Sequence, residues 1–452
     1  MDYKEWMHLW HRAGFGPPLT EWQAWEPLSR AQAVDLFIQQ SSVWEPLDIA
    51  EKPSKPLLPG RNPRQQTRHL RQLQLEELGR MNIQAMNLLA FSPEQLREKM
   101  FLFWHGYFAC FVPFSWLLQN HINLLRQQAL GNVKNLLVTV AKDAAMMEFL
   151  NTTQNRKAHP NENFARELME LYTLGRGHYQ EKDIQEAAKA FTGWFYDAEG
   201  QFILIPQAQD KSPIQFRGKQ GNFSGEDIIH QLVEDPQMAI HFCTRLYRFF
   251  VNHEKPDPNH IAEMAEVLRG AQYEILPVLA HVFTADWFYN PEQIGAQIKS
   301  PADLITGLRR QFGIEFKDEQ VLLYLQKVLG QVVGHPPNVA GWPGGKQWID
   351  GATLIFRLRL ADGLFSNADL PVEVRESAED IPLGKRMKSF NTQLSWEHLN
   401  VYAEGKKGRE LTRIIAEKLV VRPGNLADRL PEPAHLLDAI RMVLRSPEYQ
   451  MC

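Results

Sequence analysis

Apolar residues recur at the spacing of α-helices through most of this chain, and that periodicity restricts its fold more than any other feature. The segment from residue 92 to about residue 109 is charged in its first half and apolar on nearly all faces in its second, so we expect this helix to enter the interior. We therefore predict a mainly all-α, multi-helix assembly. Further helices are predicted at residues 20–41, 68–89, 116–130, 132–150, 161–174, 181–192, 225–233, 236–251, 259–269, 273–285, 291–312, 318–329, 396–404, 407–419 and 433–446.

Three segments interrupt the helical pattern. Residues 201–223 contain a short apolar run followed by polar and glycine-rich sequence, which predicts one small β-hairpin. Residues 51–66 are rich in proline and basic side chains and predict an exposed loop, whereas residues 366–392 read as a polar linker or excursion. We therefore predict a main helical domain over residues 1–365 and C-terminal helices, residues 393–452, that pack on it.

Composition excludes several classes of protein. The formal net charge of −4 provides no basic field for nucleic acid. The three cysteines have no C-x-x-C spacing, which argues against a disulfide framework or a zinc–thiolate site. The sequence contains no run of 18 or more apolar residues, so it does not predict a membrane span. The first residues lack the pattern of a secretory signal, so the sequence predicts a cytoplasmic protein.

The densest group of functional residue types lies in the helical run Asn161–Glu170. At α-helical spacing, Asn163, Arg166, Glu167 and Glu170 share one polar arc, and the opposite arc is apolar. One interpretation is the polar wall of a cleft, in which the two glutamates divide acid and base roles and Arg166 holds an anion or the glutamates themselves. The other is a solvated helix face stabilised by ion pairs four residues apart.

His105 lies where its helix is apolar on all sides. A buried polar group without a partner costs about 1–3 kcal/mol, so His105 needs a partner, and we predict that Glu167 or Glu170 provides it. His105 is then a metal ligand or general base. The alternative is a core histidine that serves structure alone. A divalent cation is compatible with this inventory, but no H-E-x-x-H or E-x-x-H spacing occurs on the polar helix, so no metal ligand is assigned and the cofactor stays unknown.

The segment Arg245–Phe250 alternates basic and aromatic residues, a pattern that also occurs in nucleic-acid-binding proteins. On a helix, this spacing places Leu246, Phe249 and Phe250 on one core face with Arg245 and Arg248 at its edge. We therefore predict core packing for this segment.

Six motifs occur together, in one order, along the chain. The motifs are His11-Arg12-Ala13-Gly14-Phe15-Gly16, Trp104-His105-Gly106-Tyr107-Phe108-Ala109, Asn161 to Gly175, Ala190-Phe191-Thr192-Gly193-Trp194, Lys299-Ser300-Pro301, and Pro336 to Gly345. Together they resemble the bacterial family catalogued as domain of unknown function 1800, and the resemblance runs from about residue 8 to the C-terminus.

The resemblance implies a family without an assigned activity. Its members are often encoded beside a phosphatase-like or sulfatase-like protein, and many carry export signals that this chain does not show. Members tend to have a His-Asp pair and a lysine where this chain has Gln209-Asp210 and Ile214-Gln215. Chemistry that used that histidine or lysine would be absent from this chain.

Two hypotheses of function follow. The first is an enzyme or ligand-binding protein whose cleft accepts a polar or carbohydrate-like substrate. The second is a non-catalytic scaffold or maturation partner of a phosphatase-like or sulfatase-like protein. In the first hypothesis the cleft is lined by His105, Asn163, Arg166, Glu167 and Glu170, its floor is Trp104 and Trp194, and its edge is Asn338 and Trp342.

Overall fold

The structure is a computed structural model that describes residues 1–52, 63–366, 368, 381–383 and 389–452. Most of the predicted loop at 51–66 and most of the predicted linker at 366–392 lie outside the described residues. The division into a main domain at 1–365 and C-terminal helices at 393–452 therefore stays a prediction.

The described residues fold mainly into α-helices, which confirms the predicted fold class. The first ten are α1 (Tyr3–Ala13), α2 (Trp22–Trp25), α3 (Arg30–Gln40), α4 (Pro63–Phe91), α5 (Gln95–Tyr107), α6 (Ser115–Gln127), α7 (Val133–Ala141), α8 (Ala144–Phe149), α9 (Asn163–Glu167) and α10 (Glu181–Ala190). The others are α11 (Gly225–Glu234), α12 (Pro236–Phe250), α13 (Pro258–Gly270), α14 (Ile275–Thr284), α15 (Pro301–Phe312), α16 (Gln320–Leu329), α17 (Gly351–Ser366), α18 (Asn400–Ala403), α19 (Gly408–Leu419), α20 (Leu426–Arg429) and α21 (Leu436–Leu444).

Short polar residues fix where several helices begin. Ser300 caps α15 in a capping box: its hydroxyl accepts from the amide of Asp303 at 3.1 Å and donates to the Asp303 carboxylate at 2.7 Å. Ser29 forms the same arrangement at α3. These caps satisfy backbone N–H groups that the first turn of a helix leaves without partners.

Strands are short and paired in twos. The hairpin predicted at 201–223 is part of a larger β region, because β1 (Trp194–Tyr196) pairs with β2 (Phe202–Leu204) before β3 (Ile214–Phe216) pairs with β4 (Lys219–Gly221). A third pair joins β5 (Glu315–Phe316) to β6 (Thr392–Gln393). All three pairs are antiparallel. The described ranges therefore contain more strand pairs than the one hairpin predicted, because strands of two or three residues leave little periodicity to detect.

A π-helix, Leu168–Thr173, continues directly from α9. Side chains of neighbouring helices satisfy its carbonyl groups: the Tyr107 hydroxyl donates to the Tyr172 carbonyl at 2.9 Å, and His241 Nε2 donates to the Leu171 carbonyl at 3.0 Å. A π-turn contains more residues than an α-turn. The α-helical spacing on which the polar arc was predicted is therefore wrong beyond Glu167, and Glu170 lies in the π-helix.

Helix α5 is the buried centre of the structure. Its aromatic half packs on α12, where the rings of Trp104 and Phe242 stack at 5.5 Å. Its charged half is also buried and is compensated internally, because the guanidinium group of Arg126 donates to the Glu98 carboxylate at 2.6 Å. No helix in the part of the chain that the structure describes is long and apolar enough to cross a membrane.

The loop from Pro336 to Gly345 packs on α5 through two glycines. Gly341 has a φ of +81°, and a Cβ atom there would lie far inside van der Waals contact of the Gly106 carbonyl oxygen. Only glycine satisfies both conditions without strain. The contact fixes the position of Trp342, whose ring lies edge-on to His105 with centroids 5.0 Å apart.

Substitution of Gly341 tests this contact. We expect Gly341→Ala to lower the free energy of unfolding by about 1–2 kcal/mol for the left-handed backbone plus about 1–3 kcal/mol for the overlap with Gly106. Gly330→Ala is the matched control, because Gly330 has a φ of +87° and open space around it. Urea unfolding of both variants provides the measurement. Equal losses in the two variants would show that the loop does not press against α5.

Candidate functional site

The predicted polar helix carries surface ion pairs. Arg166 donates to Glu162 at 3.2 Å, four residues earlier, and to Glu181 of α10 at 3.0 Å. The side chains of Arg166 and Glu162 each retain 35% of their exposure, and that of Glu181 retains 60%. Partly exposed pairs contribute little to stability, about 0–1 kcal/mol. The contacts are those of the solvated helix face, the second of the two interpretations.

The two predicted acid–base residues have different surroundings. Glu170 accepts from the Tyr179 hydroxyl at 2.7 Å and pairs with Arg176, and these hydrogen bonds lower its pKa. Burial raises the pKa of half-buried Glu167, and the charge of Glu170 raises it further. Opposite shifts within a carboxyl pair are compatible with separate acid and base roles. Those roles stay predictions.

His105 has a backbone partner. It is completely buried, and its Nε2 accepts from the amide of Gly334 at 2.9 Å. The prediction that Glu167 or Glu170 partners His105 is therefore wrong: the backbone turn after α16 provides a donor for Nε2, whereas Nδ1 is buried without a partner. Burial, followed by the charge of His121, lowers the pKa of His105 to about 3. The imidazole is neutral at pH 7 and holds the loop after α16 against α5.

The remaining predicted residues are dispersed. Trp104 is buried and its indole donates to the Ala129 carbonyl at 3.0 Å, while Trp194 packs against Phe202. Asn163 donates to the Leu150 carbonyl at 3.1 Å. Asn338 is exposed and shapes a turn, since its side chain accepts from the Ala340 amide at 2.9 Å. Trp342 lines a cavity that the predicted cleft did not include.

This cavity, of about 410 Å³, lies between α1, α5, α12, the start of α15 and the loop from Pro336 to Gly345. We call it the basic cavity. Trp342 is the one predicted site residue in its wall. The wall consists of His11, Arg12, Lys99, Leu102, Phe103, Gly106, Arg245, Arg248, Phe249, His253, Gln297, Ile298, Ser300, Asp303, Gln331, Ala340, Trp342, Pro343, Gly344, Gly345, Gln347, Trp348 and Cys452.

Positive side chains dominate the wall of the basic cavity. Lysine and arginine contribute Arg12, Lys99, Arg245 and Arg248, whereas Asp303 is the one acidic side chain in that wall. Asp303 is already engaged, because it pairs with Lys99 and accepts from Ser300 at 2.7 Å. Three arginines thus face the cavity without a carboxylate of their own in its wall.

Several nitrogen atoms of the wall have no hydrogen-bond partner. His11 Nε2 and Arg12 Nε are fully buried and unpaired, although another nitrogen of Arg12 donates to the Gln293 carbonyl at 3.0 Å. Arg245 and Arg248 form no hydrogen bond or ion pair through their side chains within the described ranges. Arg245 instead lies over the Tyr107 ring at 5.1 Å. Burial lowers the pKa of Arg12 and, with Lys299, Lys99 and Arg12 nearby, the pKa of His11.

Backbone closes one side of the basic cavity. A Cβ atom on Gly344 or Gly345 would overlap the His253 ring, so these glycines let the loop lie directly on that histidine. His253 is half-buried, and burial together with Arg248 lowers its pKa. The loop, the histidine and Arg248 therefore form one edge of the cavity.

Four of the six motifs meet at this cavity. They contribute His11 and Arg12, Gly106, Ser300, and the segment from Ala340 to Gly345. Arg245 and Arg248 were predicted at the edge of a core face. Leu246 and Phe250 of that face are buried. Convergence of the separate motifs was the signal available for this site. The charge density of the helical run Asn161–Glu170 indicated a different surface.

A family model described as "Protein of unknown function (DUF1800)" matches residues 8–451. The chain belongs to the DUF1800 family. No curated protein and no solved structure matches it. Among the residues that the structure describes, no group of three or more His, Cys, Asp or Glu side chains is arranged to hold a metal ion.

Substitution of His105 tests its structural contact. We expect His105→Leu to lower the free energy of unfolding at pH 7 by about 1–3 kcal/mol, because the Gly334 amide loses its acceptor. The deficit should shrink by about 2 kcal/mol at pH 5, since the unfolded wild type, with a histidine pKa near 6.5, gains a proton that folded His105 does not accept. Urea unfolding at both pH values measures this.

The exposed His159 provides the control for that experiment. His159→Ala should change stability by less than about 0.5 kcal/mol at either pH. A deficit of His105→Leu that is the same at pH 5 and pH 7 would argue that the imidazole is not held neutral.

Proposed function

We propose that this protein binds a small anionic ligand in the basic cavity. One observation carries the proposal: the cavity wall combines three arginines that lack a carboxylate partner there with fully buried, unpaired nitrogen atoms of His11 and Arg12. Their common complement is a group with negative charge and several acceptor oxygens.

The energetics of buried charge support this proposal. Removing a charge from water costs several kcal/mol unless a partner compensates it. Arg12 retains 2% of its exposure, and Arg245 is half-buried and lies over the Tyr107 ring. An anion in the cavity offsets the cost for both guanidinium groups at once.

The dimensions of the basic cavity also fit a small molecule. Its volume of about 410 Å³ is within the range of ligand pockets. Arg248 is exposed, so the cavity opens to solvent on that side. Backbone at Gly344 and Gly345 forms part of the wall and packs directly on His253.

The basic cavity bears on only one of the two hypotheses made from the sequence. A polar ligand, as the first hypothesis requires, suits the basic cavity, but the predicted catalytic roles of Glu167, Glu170 and Arg166 concern another surface and carry no part of this proposal. Partnership with a phosphatase-like or sulfatase-like protein stays a prediction from resemblance.

Calorimetric titration with sulfate at constant ionic strength tests the proposal. We expect saturable binding to one site, and we expect Arg248→Met to weaken it about tenfold, the equivalent of about 1.4 kcal/mol for a charged hydrogen bond. Arg269→Met on α13 is the control, because Arg269 is exposed and outside the cavity. Absence of sulfate and phosphate binding, or equal weakening in both variants, would refute the proposal.

The affinity for sulfate should rise as pH falls from 7.5 to 6. Burial and the positive charges of Lys299, Lys99 and Arg12 keep the pKa of His11 low in the free protein. A bound anion opposes those charges and favours the protonated imidazole, so binding takes up a proton. Sulfate itself does not titrate in this range.

Variants of the two cavity histidines separate their contributions. We expect His11→Gln to flatten the pH dependence, and His253→Gln to flatten it less, because His253 is only half-buried. An affinity for sulfate that is independent of pH in the wild type would contradict protonation of His11 on binding.

A further inference from the structure

The basic cavity has a second set of wall residues that an inorganic anion leaves unused. Four aromatic residues belong to its wall: Phe103, Phe249, Trp342 and Trp348. We infer, on the basis of the proposed function, that the ligand is a phosphate monoester whose organic part is a ring with a flat apolar face.

Burial orders the two sets of residues along the cavity. His11 and Arg12 are almost completely buried, retaining 4% and 2% of their exposure, and mark its inner end. Trp342 and Phe249 are half-buried, and Arg248 is exposed, so they lie toward the opening. A ligand with a charged head and a ring therefore places its head inward and its ring beside the tryptophan.

The Trp342 ring has a surface available for stacking. Its neighbours on one side are His105, edge-on with centroids 5.0 Å apart, and the backbone of Gly106. Within the described ranges no aromatic ring stacks on Trp342, and none contacts Trp348. Indole faces left in the wall of a polar cavity are suited to aryl rings and to the apolar faces of sugar rings, which both stack on them.

The positive charge of the cavity wall favours a phosphate group over the other anionic groups that an organic ligand can carry. A phosphate monoester has a charge of about −1.5 to −2 near pH 7 and three acceptor oxygens. Arg12, Arg245 and Arg248 supply three positive charges without carboxylate partners in the wall, and arginine pairs with phosphate through two parallel hydrogen bonds. A sulfate ester or a carboxylate carries a single charge and leaves more of this positive charge uncompensated.

Calorimetry with matched phosphate esters tests the inference. The probes are inorganic phosphate, methyl phosphate, phenyl phosphate and phenyl sulfate. We expect phenyl phosphate to bind the wild type about tenfold tighter than methyl phosphate, the equivalent of about 1.4 kcal/mol for one stacked ring. Phenyl sulfate should bind more weakly than phenyl phosphate. This comparison needs no variant.

Substitution of Trp342 then assigns the gain to a residue. Trp342→Leu should abolish the gain in affinity of phenyl phosphate over methyl phosphate. Trp396→Leu is the control, because Trp396 is partly exposed, lies outside the cavity and contacts Phe365. A hexose phosphate that binds tighter than methyl phosphate, with the gain lost in Trp342→Leu, would support the same inference.

The outcomes separate this inference from the proposed function. Suppose that inorganic phosphate binds and Arg248→Met weakens its binding, but phenyl phosphate binds no tighter than methyl phosphate. The inference of a ring in the ligand is then wrong, and the proposed binding of an anion is retained. Equal affinities for phenyl sulfate and phenyl phosphate overturn the phosphate head. If no anion binds at all, the proposed function fails, and the inference fails with it.

Discussion

The ion pair between Lys99 of α5 and Asp303 of α15 is the interaction on which the basic cavity depends. It joins the buried centre of the structure to the first turn of a second helix, and the same aspartate completes the cap that starts α15. Lys99 also donates to the His11 carbonyl at 3.4 Å, so α1 is held at the same point. One carboxylate thus positions three helices and is fully used by doing so.

The negative charge of Asp303 is shared among several further positive side chains. Arg12, Lys299 and Arg357 are all buried near this aspartate, and Arg357 has two fully buried nitrogen atoms without partners. A fold selected for stability alone would replace such residues with apolar ones, because well-packed apolar groups are often more stable than buried charges. Retained charge of one sign around an open cavity is the arrangement expected of a site for the opposite charge.

The sequence predicted the fold class better than the site for a physical reason. Helical periodicity is local, so α5 and α12 were predicted near their observed positions, whereas the helix predicted at 291–312 begins ten residues before α15. The polar arc of Asn161–Glu170 was also read locally, and it failed where the π-helix begins, since that change depends on side chains such as Tyr107 and His241 from other helices. The partner of His105 was not predictable either, because a backbone amide after α16 leaves no mark in the sequence.

The site became visible only when distant motifs were brought together. His11 and Arg12 lie hundreds of residues before Ser300 and Trp342, and none of these segments alone matches a known ligand signature. Within those motifs, structure divides the residues into two kinds. Gly106 and Gly341 are explained by close packing of the loop on α5, and Ser300 by the cap of α15. His11 and Arg12 keep buried nitrogen atoms without hydrogen-bond partners, which neither the packing of the loop nor a helix cap explains.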